Sequence, residues 1–394
     1  MSEVDLCKSV RPCPICGGHQ VEMLQHLEYE QFLQSLPASY DIVSCQKCGM
    51  VFNDTSAAAA DFDRYYAAFS KYEGQNLIGA GDFSAVERGR YERLHNFVAP
   101  HLQKENRIVE VGCGQGGFLR FLSEKGYANL LGIDPSSNCV EILRRNKIPA
   151  VNGTLEQSPS VNKFDFLALI GVAEHLFSPV QSLNGFLQRC GAPPWLFLVV
   201  PSTRDYGAQI STPFYHFDFE HLSHFDIHQL NNLLAACGYK LAKYAYDFIS
   251  VGEVSNGTIN ALYQKVDQPE DIRFNDEALV AVKHYIENSR KNDLDAKVDR
   301  LLQKNRPLYL WGCGAHLARL LRKTALAQGN IIAFVDNDPH KQTLTLLGRR
   351  IIPSQQLHGL GKENTVVICS PLYKTVMREE LHENDFQGQV EMIC

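Results

Sequence analysis

Hydrophobic and polar positions change their rhythm three times along this chain. From about residue 61 to residue 250, short apolar runs rich in β-branched residues alternate with stretches at helical spacing. That is the pattern of a mostly parallel sheet covered by helices on both faces. The runs Arg107 to Val111, Leu130 to Ile133, Asp165 to Ile170 and Trp195 to Val200 are predicted strands, each closed by Gly, Asp or Pro. From about residue 305 the same grammar returns. Pro307 to Trp311 leads into Gly312-Cys313-Gly314, a helix through Arg322, and a strand from Ile331 to Val335 that ends at Asp336. Between the two units the charged stretch Asn275 to Lys304 keeps Leu279, Val282 and Ile286 at helical spacing, which predicts connecting helices. The first sixty residues follow neither rhythm and are organised around paired cysteines. The expected layout is therefore a ribbon over residues 1–60, a doubly wound α/β core over 61–265, connecting helices over 266–304 and a Rossmann-like α/β unit over 305–394.

A chain of 394 residues has room for two or three such units, and 45% hydrophobic against 21% charged residues is globular composition throughout. The net charge of −6 gives no general attraction to nucleic acid or anionic lipid. No apolar run approaches the roughly 18 residues a bilayer span needs, and Met1-Ser2-Glu3-Val4-Asp5 lacks the basic and apolar parts of a leader. Neither a membrane nor a nucleic-acid partner is expected, and the expected location is cytoplasmic, where the twelve cysteines stay reduced. Oligomeric state is left open by the sequence.

Cys13-Pro14-Ile15-Cys16-Gly17-Gly18 and Cys45-Gln46-Lys47-Cys48-Gly49 are two knuckles of the kind that build a zinc ribbon. Each Cys-x-x-Cys turn aims two thiolates at one point, and Cys13, Cys16, Cys45 and Cys48 together supply a closed tetrahedral site. A site with no open position stabilises the fold and performs no chemistry. Nucleic-acid binding by this ribbon is disfavoured, because residues 1–60 hold three Lys or Arg and seven Asp or Glu.

Val109-Glu110-Val111-Gly112-Cys113-Gly114-Gln115-Gly116-Gly117 runs from a predicted strand into a predicted helix. Its glycines allow a tight turn and close approach of a ligand to the backbone. Gly112, Gly114 and Gly117 satisfy a dinucleotide fingerprint, and Asp134 follows about 20 residues later, where a carboxylate accepts hydrogen bonds from ribose hydroxyls. Spacing alone does not separate NAD from S-adenosylmethionine.

The series Glu110, Gly112, Gly114, Gly116 with Asp134, joined by Gly171-Val172-Ala173-Glu174-His175-Leu176 after the fourth strand, resembles the class I methyltransferases. That resemblance implies S-adenosyl-L-methionine as cofactor, held by the glycine loop, by Asp134 at the ribose, and by Leu155 and Glu156 beside the adenine, with Gly171 and Tyr66 completing the site. The order of parts resembles more narrowly the sugar C-methyltransferases that act on nucleotide-linked deoxysugars. Its marks here are the paired knuckles, Tyr66-Ala67-Ala68-Phe69-Ser70, Phe219-Glu220-His221-Leu222-Ser223-His224-Phe225, Trp311-Gly312-Cys313-Gly314-Ala315-His316, and Val335-Asp336-Asn337-Asp338-Pro339. The chain departs from that family's usual pattern at Asp218-Phe219, where Tyr-His is usual before Glu-His, at His224, where a Tyr precedes the Phe, and at Ala68 in place of a second Tyr.

Methylation at carbon beside a carbonyl requires removal of a proton and stabilisation of the resulting enolate oxygen. His221 is the expected base, with Glu220 as its carboxylate partner and His175 facing the substrate. Asp218 and His224 are expected substrate contacts, and the small-molecule acceptor is expected to be a sugar nucleotide. O- or N-methylation of another small molecule of secondary metabolism or polysaccharide building is the alternative. His221 and His224 could share a helical face, which makes His216, Asp218, His221 and His224 a conceivable second metal group, but the interleaved Phe214, Tyr215, Phe217, Phe219 and Phe225 read more simply as a packed wall. In the last unit Leu317 stands where a dinucleotide fold has its third glycine. This favours docking of the substrate's nucleotide end over an NAD site.

Overall fold

The computed structural model describes residues 6–31, 36–69, 83–161, 163–208 and 212–394, without the side chains of 67–69. Met1 to Asp5 and Ser70 lie outside the described residues, as do the side chains of Ala67, Ala68 and Phe69.

The chain opens as an antiparallel meander of β1 (Leu6–Lys8), β2 (Gln20–Glu28), β3 (Ser39–Cys45) and β4 (Val51–Asp54). Val21, Ile42, Val43, Val51 and Phe52 are buried within it. Each knuckle is turned by a glycine in the left-handed region, Gly17 at φ +70° and Gly49 at φ +75°.

Helices α1 (Ala59–Phe69) and α2 (Ala85–Val98) come next. Ser84 and Glu87 form a capping box at the start of α2. The central unit then runs β5 (Ile108–Val111), α3 (Gly117–Glu124), β6 (Leu130–Asp134), α4 (Ser137–Arg145), β7 (Ala150–Asn152), β8 (Phe166–Ile170), α5 (Pro179–Cys190) and β9 (Trp195–Pro201). The two-residue strand β10 (Ser223–His224), α6 (Ile227–Ala235), β11 (Tyr239–Val251) and β12 (Val254–Lys265) follow. Every residue of β5 is buried, as a strand covered on both faces requires. The sheet order is β7-β6-β5-β8-β9-β12-β11, with β7 through β9 parallel and the β11–β12 hairpin antiparallel. The chain leaves β5 toward β6 and returns to β8 on the opposite side. The carboxyl ends of β5 and β8 therefore flank a topological switch point, where open α/β sheets gather ligands.

Strand β10 does not join this sheet. It pairs with β4, Ser223 opposite Phe52 and His224 opposite Val51, and becomes the fifth strand of the N-terminal sheet. The long reach of this pairing has no sequence signature.

Helices α7 (Glu277–Arg290) and α8 (Leu294–Gln303) occupy the predicted connecting stretch, with Leu279, Val282 and Ile286 buried. The last unit contains β13 (Leu308–Trp311), α9 (Ala315–Lys323), β14 (Ile331–Val335), β15 (Thr345–Leu346), β16 (Arg349–Ile352), β17 (Thr365–Ile368), α10 (Lys374–Glu383) and β18 (Gln389–Met392). Its sheet runs β15-β16-β14-β13-β17-β18, parallel except at β15. The tip of the β11–β12 hairpin reaches this unit, where Glu253 N donates to Leu372 O at 2.9 Å and Glu253 Oε2 accepts from Thr375 Oγ1 at 2.8 Å. No helix among the described residues is long and apolar enough to cross a membrane.

A Cβ on Gly49 would lie 1.8 Å from the carbonyl oxygen of Asn275, at a φ that L side chains avoid. Gly49→Ala is therefore expected to destabilise the protein by at least about 1–2 kcal/mol. Chemical denaturation would show this as a lower midpoint at unchanged slope.

Candidate active site

The glycine loop leaves β5 with Gly112 N donating to Ile133 O at 2.8 Å. Gly112, Gly114 and Gly116 take φ of +70°, +53° and +72°. A Cβ at Gly112 would meet Val172 Cγ2 at 2.4 Å, and one at Gly116 would meet Leu143 at 2.6 Å. Asp134 spans the loop from the end of β6, its Oδ2 accepting from Gly114 N at 2.7 Å and its Oδ1 from Ser136 N at 2.9 Å. Behind the loop Glu110 is buried, and loss of solvation raises its carboxyl pKa to about 8. Its Oε2 has no hydrogen-bond partner among the described residues. Beyond β7, Leu155 is buried in the central core while Glu156 is exposed. Gly171, at φ +70°, closes β8 with its N–H donating to Val199 O at 2.8 Å.

One turn past Gly171, the 3₁₀ segment Ala173–His175 supplies the second wall. His175 Nδ1 lies 2.9 Å from the carbonyl oxygen of Glu220, which only accepts. In the neutral ring this assigns the proton to Nδ1 and the lone pair to Nε2. Tyr66 Oη is 3.3 Å from the same Nδ1, and the His221 ring stands edge-on to His175 with centroids 4.9 Å apart. Tyr65 Oη donates to Glu220 Oε1 at 2.6 Å, and Glu174 Oε1 is 3.9 Å from His175 Nε2. Tyr66, His175, Glu220 and His221 thus converge beside the switch point, joined by Tyr65 and Glu174, to which no role follows from the sequence. Both lie next to residues it singled out. Asp218 belongs to the same bend, its Oδ1 accepting from Glu220 N at 3.1 Å.

Two expectations about the histidines are corrected. His221 and His224 share no helix, since His224 lies on β10 and His221 precedes it. His224 is fully buried, with Nδ1 3.0 Å from Tyr206 Oη and Nε2 3.0 Å from Asn53 Oδ1, so neither ring nitrogen is left for a substrate. His216 stacks on Tyr206 at 4.1 Å. Burial drives the pKa of both rings down to about 3 and keeps them neutral. The group of His216, Asp218, His221 and His224 is therefore not assembled as a metal site. Among the described residues His221 groups instead with Glu174 and His175.

The bend that carries Glu220 and His221 is held from the ribbon. Asn53 of β4 accepts or donates at three points along it. Its backbone N–H donates to Leu222 O at 3.0 Å, its Nδ2 donates to Asp218 O at 3.3 Å, and its Oδ1 meets His224 Nε2. Arg11 adds a second strut, its guanidinium lying over Phe177 at 4.1 Å and donating to Phe177 O, three residues beyond Glu174. In the ribbon itself Cys13 and Cys48 Sγ are 3.6 Å apart, Cys16 and Cys45 Sγ 3.5 Å, and all four sulfurs lie within 4.8 Å of one another.

Residues 84–244 match a family model described as a methyltransferase domain. A tRNA U34 carboxymethyltransferase of Shewanella frigidimarina (strain NCIMB 400) is 28% identical over 102 residues, which cover 24% of this chain. The chain spans 30% of the length of that curated relative. Among solved structures, a SAM-dependent methyltransferase of Methanosarcina mazei is 18% identical with a TM-score of 0.38, over 43% of this chain and 97% of the other. The magnesium protoporphyrin IX methyltransferase of Synechocystis PCC 6803, solved with bound SAM, is 14% identical with a TM-score of 0.34, over 52% and 91%. The matched residues contain the glycine loop, Asp134 and the Glu174-His175 turn. Residues 84–244, less than half of the chain, are therefore a methyltransferase domain.

Two measurements probe this geometry. At pH 7 Glu110 is mostly protonated, and a cationic ligand placed near it lowers its pKa. Binding of S-adenosylmethionine is therefore expected to release up to about one proton per chain. Calorimetry in buffers of different ionisation enthalpy would detect the release, and Glu110→Gln should abolish it. Asn53→Ala strands buried partners and should cost about 2–3 kcal/mol, read as a lowered melting temperature.

Proposed function

We propose that the protein transfers the methyl group of S-adenosylmethionine to a carbon of a nucleotide-linked keto-deoxysugar. The observation that carries this reading is the convergence of Tyr66, His175, Glu220 and His221 at the carboxyl end of β8, one turn from the glycine loop.

The loop fits the cofactor by its chemistry. Gly112, Gly114 and Gly116 take the positive φ that makes the turn tight, Asp134 offers a carboxylate suited to ribose hydroxyls, and Glu110 presents a buried carboxyl suited to a cation. Leu155, Glu156 and Gly171 are the proposed adenine and edge contacts. When bound, the sulfonium supplies an electrophilic methyl group. The chain's own task is to hold the acceptor carbon against it and to take up the proton that carbon loses. An imidazole and a carboxylate on consecutive residues, His221 and Glu220, provide that proton acceptor, while the Nδ1–H bond to Glu220 O orients His175. Asp218 is assigned to an acceptor hydroxyl; His224 is not, because the protein already engages both of its nitrogens.

The four thiols suit zinc in separation and chemistry, and we assign it a structural role there. The last unit is assigned to the nucleotide end of the acceptor. Its Asp336 is a poor match for NAD, because its Oδ2 is paired with Lys341 at 3.1 Å. Leu317, at the third glycine position, is buried in the core.

Incubation with methyl-labelled cofactor and a panel of nucleotide-linked keto-sugars tests the reading, with product NMR to separate a C-methyl from an O-methyl. His221→Ala and Glu220→Gln are each expected to lower kcat by roughly 10²–10⁴. Full activity of both variants on the true acceptor would remove these residues from the chemistry.

A further inference from the structure

We propose that Glu174, His175 and His221 bind a divalent first-row transition cation, at a site distinct from the four cysteines. One carboxylate oxygen and one nitrogen from each ring lie within 4.8 Å of one another, with Glu174 Oε1 to His175 Nε2 at 3.9 Å. Donors on a shared cation at roughly 2.1 Å stand about 3.0–3.5 Å apart, so ordinary side-chain rotation closes the trio. Two imidazoles and a carboxylate suit manganese, iron, cobalt or zinc, whereas four thiolates select zinc.

The hydrogen bonding of His175 supports the assignment independently. Its Nδ1–H points to the carbonyl oxygen of Glu220, which leaves the Nε2 lone pair on the side of Glu174 Oε1, 3.9 Å away. Metal-bound histidines are oriented in this way, by a carbonyl on the far nitrogen. Burial is also divided suitably. The Glu174 side chain is 4% exposed and that of His175 24%, so the carboxylate is shielded while the ring is partly accessible.

The trio adjoins the proposed cofactor loop, since Val172 of the same turn lies against Gly112. A cation there takes oxygen ligands, and the fitting acceptor class is one with two neighbouring oxygens, a carbonyl beside a hydroxyl or a pair of hydroxyls. This acceptor assignment rests on the methyltransferase reading, whereas cation binding itself does not.

The test uses the full-length protein with its cysteine-bound metal retained, titrated with Mn²⁺ and followed by the EPR signal of the free ion, with Co²⁺ absorption as a second probe. One equivalent per chain is expected. Glu174→Gln, His175→Gln and His221→Ala should each weaken it by about tenfold or more, with circular dichroism and zinc content unchanged. His228→Gln serves as a control, because Asp226, His228 and Glu277 form another donor group on the same molecule. No stoichiometric uptake of either ion, or uptake lost in His228→Gln and kept in the trio variants, would overturn the site. Calorimetry with S-adenosylmethionine separates the two claims. Cation uptake without cofactor binding would sink the methyltransferase reading alone, and cofactor binding without cation uptake would sink the metal site alone.

Discussion

The contact between β4 and β10, fastened by Asn53, is the constraint on which the candidate site depends. Glu220 and His221 sit on a bend that belongs to no helix and to none of the strands of the central sheet. A bend of that kind has no intrinsic reason to present its side chains in one geometry. Here Asn53 ties it before Glu220, at Asp218 O, and after His221, at Leu222 O and the His224 ring. Because Asn53 is buried, each of these bonds is made out of water, where leaving a partner unmade is costly. The N-terminal meander thereby holds the candidate site from outside it. The meander positions β4, and β4 holds the bend.

The histidines of residues 216–228 show how one residue type is sorted by surroundings. His216 and His224 are enclosed by Tyr206, Phe217 and Tyr285 and held neutral by loss of solvation. They brace the bend. His221 is only partly buried and stands edge-on to the ring of His175. His228 lies near the surface beside Glu277.

The two glycine loops make a similar contrast. After β5 the carboxylate of Asp134 is held by backbone N–H groups, and a buried carboxyl waits behind the loop. After β13 the corresponding Asp336 is neutralised by Lys341, and Leu317 fills the helix-to-strand gap. One backbone motif is thus prepared for a ligand and the other is closed by the protein's own side chains. A glycine pattern describes what a turn permits; the neighbouring side chains decide what it receives.

The sequence by itself determined the periodic elements, the paired knuckles, the glycine loops and the candidates His175, Glu220 and His221. All of these rest on local rules: the strand and helix repeats, the tolerance of glycine for positive φ, and cysteine spacing. The tertiary structure alone decided that β10 joins the ribbon, that Asn53, Tyr65 and Glu174 belong to the site, and that His224 turns inward. Those outcomes depend on pairing between residues far apart in the chain, 171 positions for Asn53 and His224. Local periodicity carries no record of which distant strand will supply a partner, and whether an imidazole meets solvent or a tyrosine follows from that choice.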